Sequence, residues 1–243
     1  PEKNNINCVL TSFYISNQRI CINKSTQLGF SIGESPGWVG LLANAYSRRA
    51  DILSRGYSGY NTRLALDILP TIFGASSGED EDGKKSKAAS SLSSLIGKPL
   101  FVSIFFGAND ASLPGDREHN QHVPIDEYQN NLRQIVSSIR SSRMMIDSTT
   151  PIIMMTPPPV DKPAWNKYCM ENFDELSPRT NDVSKLYGDR VKAVAQDMDC
   201  SIVDSFSLLQ GNESEEQYGL NLEDGLHLNS TGNKRLYEGF MEV

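Results

Sequence analysis

The fold is decided by one stretch of the chain, Leu100-Phe101-Val102-Ser103-Ile104-Phe105-Phe106-Gly107-Ala108-Asn109-Asp110. The residues up to Phe106 form a nearly continuous apolar run, as expected of a central parallel strand that is covered on both faces. In an open α/β sheet, ligands bind beyond the carboxyl ends of the strands. The polar residues that follow Phe106 are therefore candidates for a functional site. An Asx-turn without a chemical role is the alternative interpretation of Asn109-Asp110.

Strands and helices alternate on both sides of this stretch. β-branched and apolar residues predict strands at 6–15, 50–53, 151–155 and 201–204. Apolar residues at helical spacing predict helices at 38–46, 125–143, 183–195 and 230–240, and a further helix begins near residue 62. Residues 161–180 are predicted to be irregular. The alternation implies an α/β fold with a parallel sheet, helices on both faces and right-handed crossovers.

The length of 243 residues fits one large α/β domain, 1–243. Residues 75–94 have almost no large apolar side chain and carry an acidic block followed by a basic one, which predicts a disordered insert without a catalytic role. The chain begins at Pro1 rather than Met and ends at Val243 within a helical pattern. We therefore expect the sequence to be a fragment or a trimmed gene model.

Composition excludes several classes of function. The net charge of −7 argues against a nucleic-acid or anionic-membrane partner, because such partners select clustered Lys and Arg. No apolar run reaches the ~18 residues that a membrane span requires. The few cysteines and histidines lack the spacing of a zinc site, so no metal or cofactor is predicted. The cysteines are interpreted as free thiols of a cytoplasmic protein: Cys8, Cys21, Cys169 and Cys200.

A second candidate feature is Asp224-Gly225-Leu226-His227, which places a carboxylate and an imidazole on one turn. Histidine is the side chain best suited to move protons near neutral pH, and a carboxylate that accepts from Nδ1 fixes the tautomer and stabilises the imidazolium. The alternative is a chance surface arrangement, since short motifs have many false positives. His119 and His122 are interpreted as solvated loop residues or rim contacts.

A third candidate feature is Ser58-Gly59, in a loop between a predicted strand and the helix that begins near Thr62. Backbone N–H groups in such a glycine-containing loop can point at a ligand. A plain tight turn is the alternative interpretation.

Together, the three loops resemble those of the SGNH, or GDSL-type, hydrolases, and more closely the isoamyl acetate-hydrolysing esterase branch. The likeness spans about residues 27–240. Its most specific stretches are 37–70, 105–113 with 123–132, 156–160 and 224–228. Four matches in the right order are more specific than any one of them.

The resemblance implies a three-layer, flavodoxin-like fold and a carboxyl-ester hydrolase that acts on small, acetate-type esters. A serine would be acylated, with His227 as general base and later acid, and with Asp224 orienting His227. Gly59 would contribute a backbone N–H, and Asn109 its side-chain amide, to an oxyanion hole. An amide is suited to this role because its NH2 group donates without carrying a charge.

The nucleophile motif of the family, Gly-Asp-Ser, does not occur in this chain. The family's continuation is matched by Thr26-Gln27-Leu28-Gly29-Phe30, so an ungapped match puts Lys24 at the nucleophile position, and deleting one residue puts Ser25 there. Ser25 is the candidate nucleophile, because Lys24 could not form an acyl ester. We therefore expect segment 1–25 to be divergent from the family and to come from a misread exon or a divergent allele.

Two other hypotheses stay open at this point. The first is a catalytically impaired relative that still binds esters or acts through surface contacts. The second is a flavodoxin-like module that binds a phosphate-bearing ligand, which is disfavoured because the chain has neither Gly-x-Gly-x-x-Gly nor Gly-x-x-x-x-Gly-Lys-Ser/Thr.

Overall fold

The computed structural model of the chain describes residues 6–10, 31–32, 35–54, 56–57, 59–73, 99–114, 121–142, 145, 149–211 and 219–243. The predicted insert at 75–94 lies outside these residues, as does the segment 1–25 apart from 6–10. Lys24 and Ser25 are therefore also outside the described residues, and so are Ser58 and His119.

Parallel pairing joins the longer strands. β1 (Ile6–Leu10) pairs with β4 (Ala50–Ser54), while β5 (Val102–Phe105), β6 (Ile152–Met155) and β7 (Ser201–Val203) lie side by side in that order. Two short strands, β2 (Ser31–Ile32) and β3 (Ser35–Pro36), form an antiparallel ribbon. The predicted parallel arrangement is confirmed. Consequently, the carboxyl ends of β5, β6 and β7 meet at one edge.

The helices are α1 (Trp38–Ala45), α2 (Thr62–Phe73), α3 (Ile125–Arg140), α4 (Lys162–Phe173), α5 (Asn181–Asp197), α6 (Ser205–Gln210) and α7 (Ser230–Met241). A short 3-10 helix spans Gly219–Asn221. None of the helices in the described ranges is long and apolar enough to cross a bilayer.

Apolar clusters cover both faces of β5 and β6. On one face, Val102 and Ile104 pack with buried residues of α2, α3 and α5. On the other face, Phe105 and Ile153 pack with buried residues of α1, α6 and α7. Successive strand residues point to opposite faces, so a strand buried on both sides is apolar at nearly every position. The predicted three-layer α/β fold is confirmed.

Helix α4 corrects the prediction that residues 161–180 are irregular. Asp161 caps its N-terminus by accepting from the backbone N–H of Ala164 at 3.1 Å, and Pro163 occupies the first turn, where a missing N–H costs nothing. Only Trp165 and Cys169 of this helix are buried. Two apolar positions are too few to give a periodic signal. The sequence patterns do not predict the short helix α6 either.

Asp110 joins the end of β5 to the start of α2. Its Oδ1 accepts from the backbone N–H of Thr62 at 2.9 Å and from the Thr62 hydroxyl at 2.5 Å. The carboxyl is fully buried, and its Oδ2 has no hydrogen-bond partner among the described residues. Burial raises the pKa of Asp110 to about 6, against the smaller opposing effect of the bonds from Thr62.

We expect the Asp110 carboxyl to make the free energy of unfolding decrease as the pH rises. Its pKa is about 6 in the folded chain and ordinarily 3.8, so between these values the folded state binds more protons than the unfolded state. The difference between the two pKa values corresponds to about 3 kcal/mol of the free energy of unfolding, and this contribution is lost by pH 7. Denaturant unfolding from pH 4 to 8 measures the loss.

The variant Asp110→Asn isolates this effect. It keeps an oxygen that can accept from Thr62, and it lacks the titrating proton. The free energy of unfolding of the variant minus that of the wild type should therefore increase from pH 4 to pH 7. A difference that stays constant over this range would show that Asp110 titrates as an ordinary carboxyl.

Candidate active site

Asp224 and His227 form a buried pair in the loop before α7. Asp224 Oδ2 lies 2.6 Å from His227 Nδ1, and the two side chains are only 5% and 4% exposed. Asp224 Oδ1 accepts from the backbone N–H groups of Leu226 at 3.1 Å and His227 at 2.9 Å. A carboxylate at Nδ1 keeps the proton on that nitrogen, so Nε2 is the nitrogen that can accept a proton.

The pKa of Asp224 lies below its ordinary value. Burial alone would raise this pKa, but the hydrogen bond and the charge interaction with His227, together with the backbone N–H groups of His227 and Leu226, outweigh the burial. Because both carboxylate oxygens accept hydrogen bonds, the charged form is the favoured form. Asp224 is thus a charged partner for the imidazole near neutral pH.

The loop around Gly225 is docked on the start of α4. The Gly225 carbonyl accepts from the backbone N–H of Asp161 at 2.9 Å, and Gly225 has a φ of +94°. A Cβ at this position would lie 2.4 Å from Trp165 N and 2.6 Å from Asp161 O. Only glycine therefore allows the loop to approach α4 this closely.

Trp165 of α4 packs against the imidazole of His227. Their ring centroids are 5.6 Å apart at an interplanar angle of 88°, and Trp165 is buried. This edge-to-face contact restrains the ring in addition to the bond from Asp224. The sequence does not indicate Trp165 as a site residue, because its pattern predicts an irregular segment at 161–180.

Asn109 lies beside the loop that contains Gly59. The residue is 2% exposed, and its Nδ2 donates to the backbone carbonyl of Tyr60 at 2.8 Å. Gly59 has a φ of +80°, in the region that favours glycine. The structure therefore places the two predicted oxyanion-hole residues on neighbouring loops.

A small cavity joins the turn after β5 to the loop that carries His227. Its volume is about 10 Å³, and residues from both segments line it, including Ala108 and Leu226. Ala108 precedes Asn109, and Leu226 precedes His227. The loops with Gly59, Asn109, Asp224 and His227 thus meet at one edge of the sheet, whereas Ser25 lies outside the described residues.

Two further polar residues lie at this edge, and the sequence does not predict them as site residues. Arg179 and Gln121 are both buried, and the Arg179 guanidinium donates to Gln121 Oε1 at 2.8 Å. No local motif marks either residue. His122, interpreted as a solvated or rim residue, is partly buried, with Nδ1 3.2 Å from the Asp110 carbonyl. Among the described residues, no three His, Cys, Asp or Glu side chains cluster as a metal site would require.

Comparison with known proteins identifies close relatives by sequence. The family described as GDSL-like lipase/acylhydrolase matches residues 22–240. A GDSL esterase/lipase of Arabidopsis thaliana is 41% identical over 214 residues, which cover 88% of this chain and 79% of the relative. The mouse isoamyl acetate-hydrolyzing esterase 1 homolog is 37% identical over 212 residues, 87% of this chain and 74% of the relative.

Solved structures share the fold at low sequence identity. A lipase/acylhydrolase from Enterococcus faecalis aligns with a TM-score of 0.62 at 19% identity, over 98% of this chain and 94% of the other. An acetylxylan esterase from Geobacillus stearothermophilus aligns with a TM-score of 0.60 at 21% identity, over 99% and 95%. These likenesses support the three-layer α/β fold.

We expect Gly225→Ala to destabilise the folded chain by about 2–4 kcal/mol, because the added Cβ overlaps α4 in a backbone conformation that disfavours alanine. Denaturant unfolding measures the change. The shifted loop should also change the His227 imidazole signals in NMR spectra.

Gly211→Ala is the matched control. Gly211 also has a positive φ, of +57°, but a Cβ there would meet no atom within 4 Å. Only the backbone cost of about 1–2 kcal/mol should appear, with His227 signals unchanged. Equal losses in the two variants would show that contact with α4 does not position the loop.

Proposed function

Because the chain belongs to the GDSL-like lipase/acylhydrolase family, we propose that it hydrolyses small carboxyl esters through an acyl-enzyme intermediate. The curated relatives that match most of its length are named as esterases. The Asp224–His227 pair is the observation that carries the proposal. Its 2.6 Å bond is buried, and backbone N–H groups hold the second carboxylate oxygen.

In the proposed first half-reaction, the hydroxyl oxygen of Ser25 attacks the ester carbonyl carbon. His227 Nε2 takes the hydroxyl proton, while Asp224 stabilises the resulting imidazolium. The tetrahedral intermediate then collapses, the bond to the alcohol oxygen breaks, and His227 gives its proton to the departing alcohol. The acyl group stays on Ser25.

In the second half-reaction, water takes the place of the alcohol. His227 removes a proton from the water, whose oxygen attacks the acyl carbon, and the tetrahedral intermediate releases the carboxylic acid. His227 returns the proton to Ser25, so the protein is regenerated. The net change is ester plus water to acid plus alcohol.

Negative charge develops on the carbonyl oxygen in both half-reactions. The proposed donors to this oxygen are the backbone N–H of Gly59 and the side-chain NH2 of Asn109. Support comes from the hydrogen bond of Asn109 Nδ2 to Tyr60 O, because Tyr60 directly follows Gly59. Donors already held in place need no reorganisation, and each is worth about 3–4 kcal/mol when lost by mutation.

Acetate-type esters are the proposed substrates. The support is the likeness to the mouse isoamyl acetate-hydrolyzing esterase 1 homolog, at 37% identity over most of the chain. A catalytically impaired relative is the second candidate, since the chain has no Gly-Asp-Ser motif. The two candidates differ in whether any serine can be acylated.

We expect Ser25→Ala to abolish hydrolysis of p-nitrophenyl acetate, because no other group would form the acyl ester. Initial rates of release of p-nitrophenol test this expectation. Lys24→Ala is the matched control and should retain activity.

Two outcomes would contradict parts of this proposal. Unchanged turnover in Ser25→Ala would remove Ser25 from the mechanism. A fluorophosphonate probe that labels no serine of the wild-type protein would favour the impaired relative.

We expect Asp224→Asn to lower kcat about a thousandfold or more with little change in KM, because the amide no longer stabilises the imidazolium or fixes its tautomer. Steady-state kinetics with p-nitrophenyl acetate measure the change. Asp204→Asn is a suitable control, because Asp204 caps α6 and pairs with Lys192. Similar losses in both variants would point to a general structural effect.

A further inference from the structure

Arg179 is a buried cation beside the proposed oxyanion hole. It lies between α4 and α5 and is 2% exposed. Its guanidinium donates to the Ala108 carbonyl, to Asn109 Oδ1 at 3.2 Å and to Gln121 Oε1 at 2.8 Å. Burying a guanidinium is costly unless its N–H groups are well bonded, so these acceptors are held firmly.

The guanidinium determines which way the two amide side chains face. The oxygen and nitrogen of an Asn or Gln amide have nearly the same shape, and their bonding partners decide the orientation. A guanidinium has five N–H donors and no acceptor. The oxygens of Asn109 and Gln121 must therefore face Arg179, and both NH2 groups must face away from it.

The NH2 group of Asn109 faces the Gly59 loop. One of its N–H bonds donates to the Tyr60 carbonyl at 2.8 Å. Within the part of the chain that the structure describes, this is the acceptor found for that group. The second N–H is then the donor proposed for the ester oxygen.

The NH2 group of Gln121 also faces Gly59. Its Nε2 lies 4.0 Å from the position that a Cβ on Gly59 would take. The Gln121 backbone is fixed as well, because its carbonyl accepts from Asn61 Nδ2 at 2.9 Å. Gln121 thus brings a neutral donor beside Gly59, one of the two proposed oxyanion-hole residues.

We propose that Arg179 is a positioning residue that turns the NH2 groups of Asn109 and Gln121 towards the oxyanion hole, and that Gln121 is a further hydrogen-bond donor to the ester. This inference rests on the proposed esterase function. The fixed positive charge of Arg179 acts through both amides, so it favours negative charge on the ester oxygen in the transition state.

The first experiment tests the donor. Gln121→Glu keeps an oxygen for Arg179 and the length of the side chain, but it replaces the NH2 group with a charged oxygen. We expect kcat for p-nitrophenyl acetate to fall about a hundredfold, with KM and Tm little changed. Gln210→Glu is the matched control, since it adds the same charge on α6, where Gln210 contacts Asn181. An unchanged kcat in Gln121→Glu would overturn the role of Gln121.

The second experiment tests whether Arg179 acts through the amides. Arg179→Met should lower kcat about a hundredfold, and Arg179→Lys, which keeps a donor and the charge, should recover part of the loss. In a background that carries Asn109→Ala and Gln121→Met, Arg179→Met should cost less than about threefold, because the groups that it positions are gone. Full additivity of the losses would overturn the positioning role.

The third experiment does not depend on catalytic activity. In NMR spectra of the wild-type protein, the side-chain NH2 groups of Asn109 and Gln121 should each give one sharp pair of signals, which Arg179→Lys preserves and Arg179→Met broadens. Sharp, unshifted pairs in Arg179→Met would overturn the positioning role. An inactive wild-type protein with these Arg-dependent signals would instead refute the esterase function and the catalytic part of the inference, while supporting the amide orientation.

Discussion

The turn Gly107–Asp110 at the end of β5 is the structural centre to which the Gly59 loop, the start of α2 and the segment with Arg179 are attached. It starts from a strand buried on both faces, so its base is rigid. A Cβ on Gly107, which has a φ of +123°, would lie 2.6 Å from Tyr128 Oη, so only glycine lets β5 turn this close to α3. Hydrogen bonds then connect the turn to other loops through Thr62 at the start of α2, Tyr60 beside Gly59, and Arg179 before α5.

Two buried carboxyls near this edge have pKa values shifted in opposite directions. Asp224 accepts hydrogen bonds at both oxygens, from His227 and from backbone N–H groups, and its pKa lies below the ordinary value. Asp110 accepts from Thr62 at one oxygen only among the described residues, and burial raises its pKa to about 6. For Asp224, the hydrogen bonds and the charge of His227 outweigh the effect of burial on the pKa, whereas for Asp110 burial outweighs the hydrogen bonds.

The resemblance to the SGNH, or GDSL-type, hydrolases is confirmed by the family match over residues 22–240. The same chain lacks the Gly-Asp-Ser motif in which that family carries its nucleophile. The scaffold around the proposed base and oxyanion hole is nevertheless built from specific contacts, including those of Trp165 with His227 and of Arg179 with Asn109. The proposed activity therefore depends on the serine at position 25.

By itself, the sequence determined the α/β class and the loops that carry Gly59, Asn109, Asp224 and His227, because strand runs, helical spacing and strand ends are local patterns. It missed α4, whose buried face consists of Trp165 and Cys169 alone. Only the tertiary structure decided the environment of these residues. Arg179 meets Asn109 and Gln121 across separations of 70 and 58 residues, and local patterns carry no information about which distant side chains pack together.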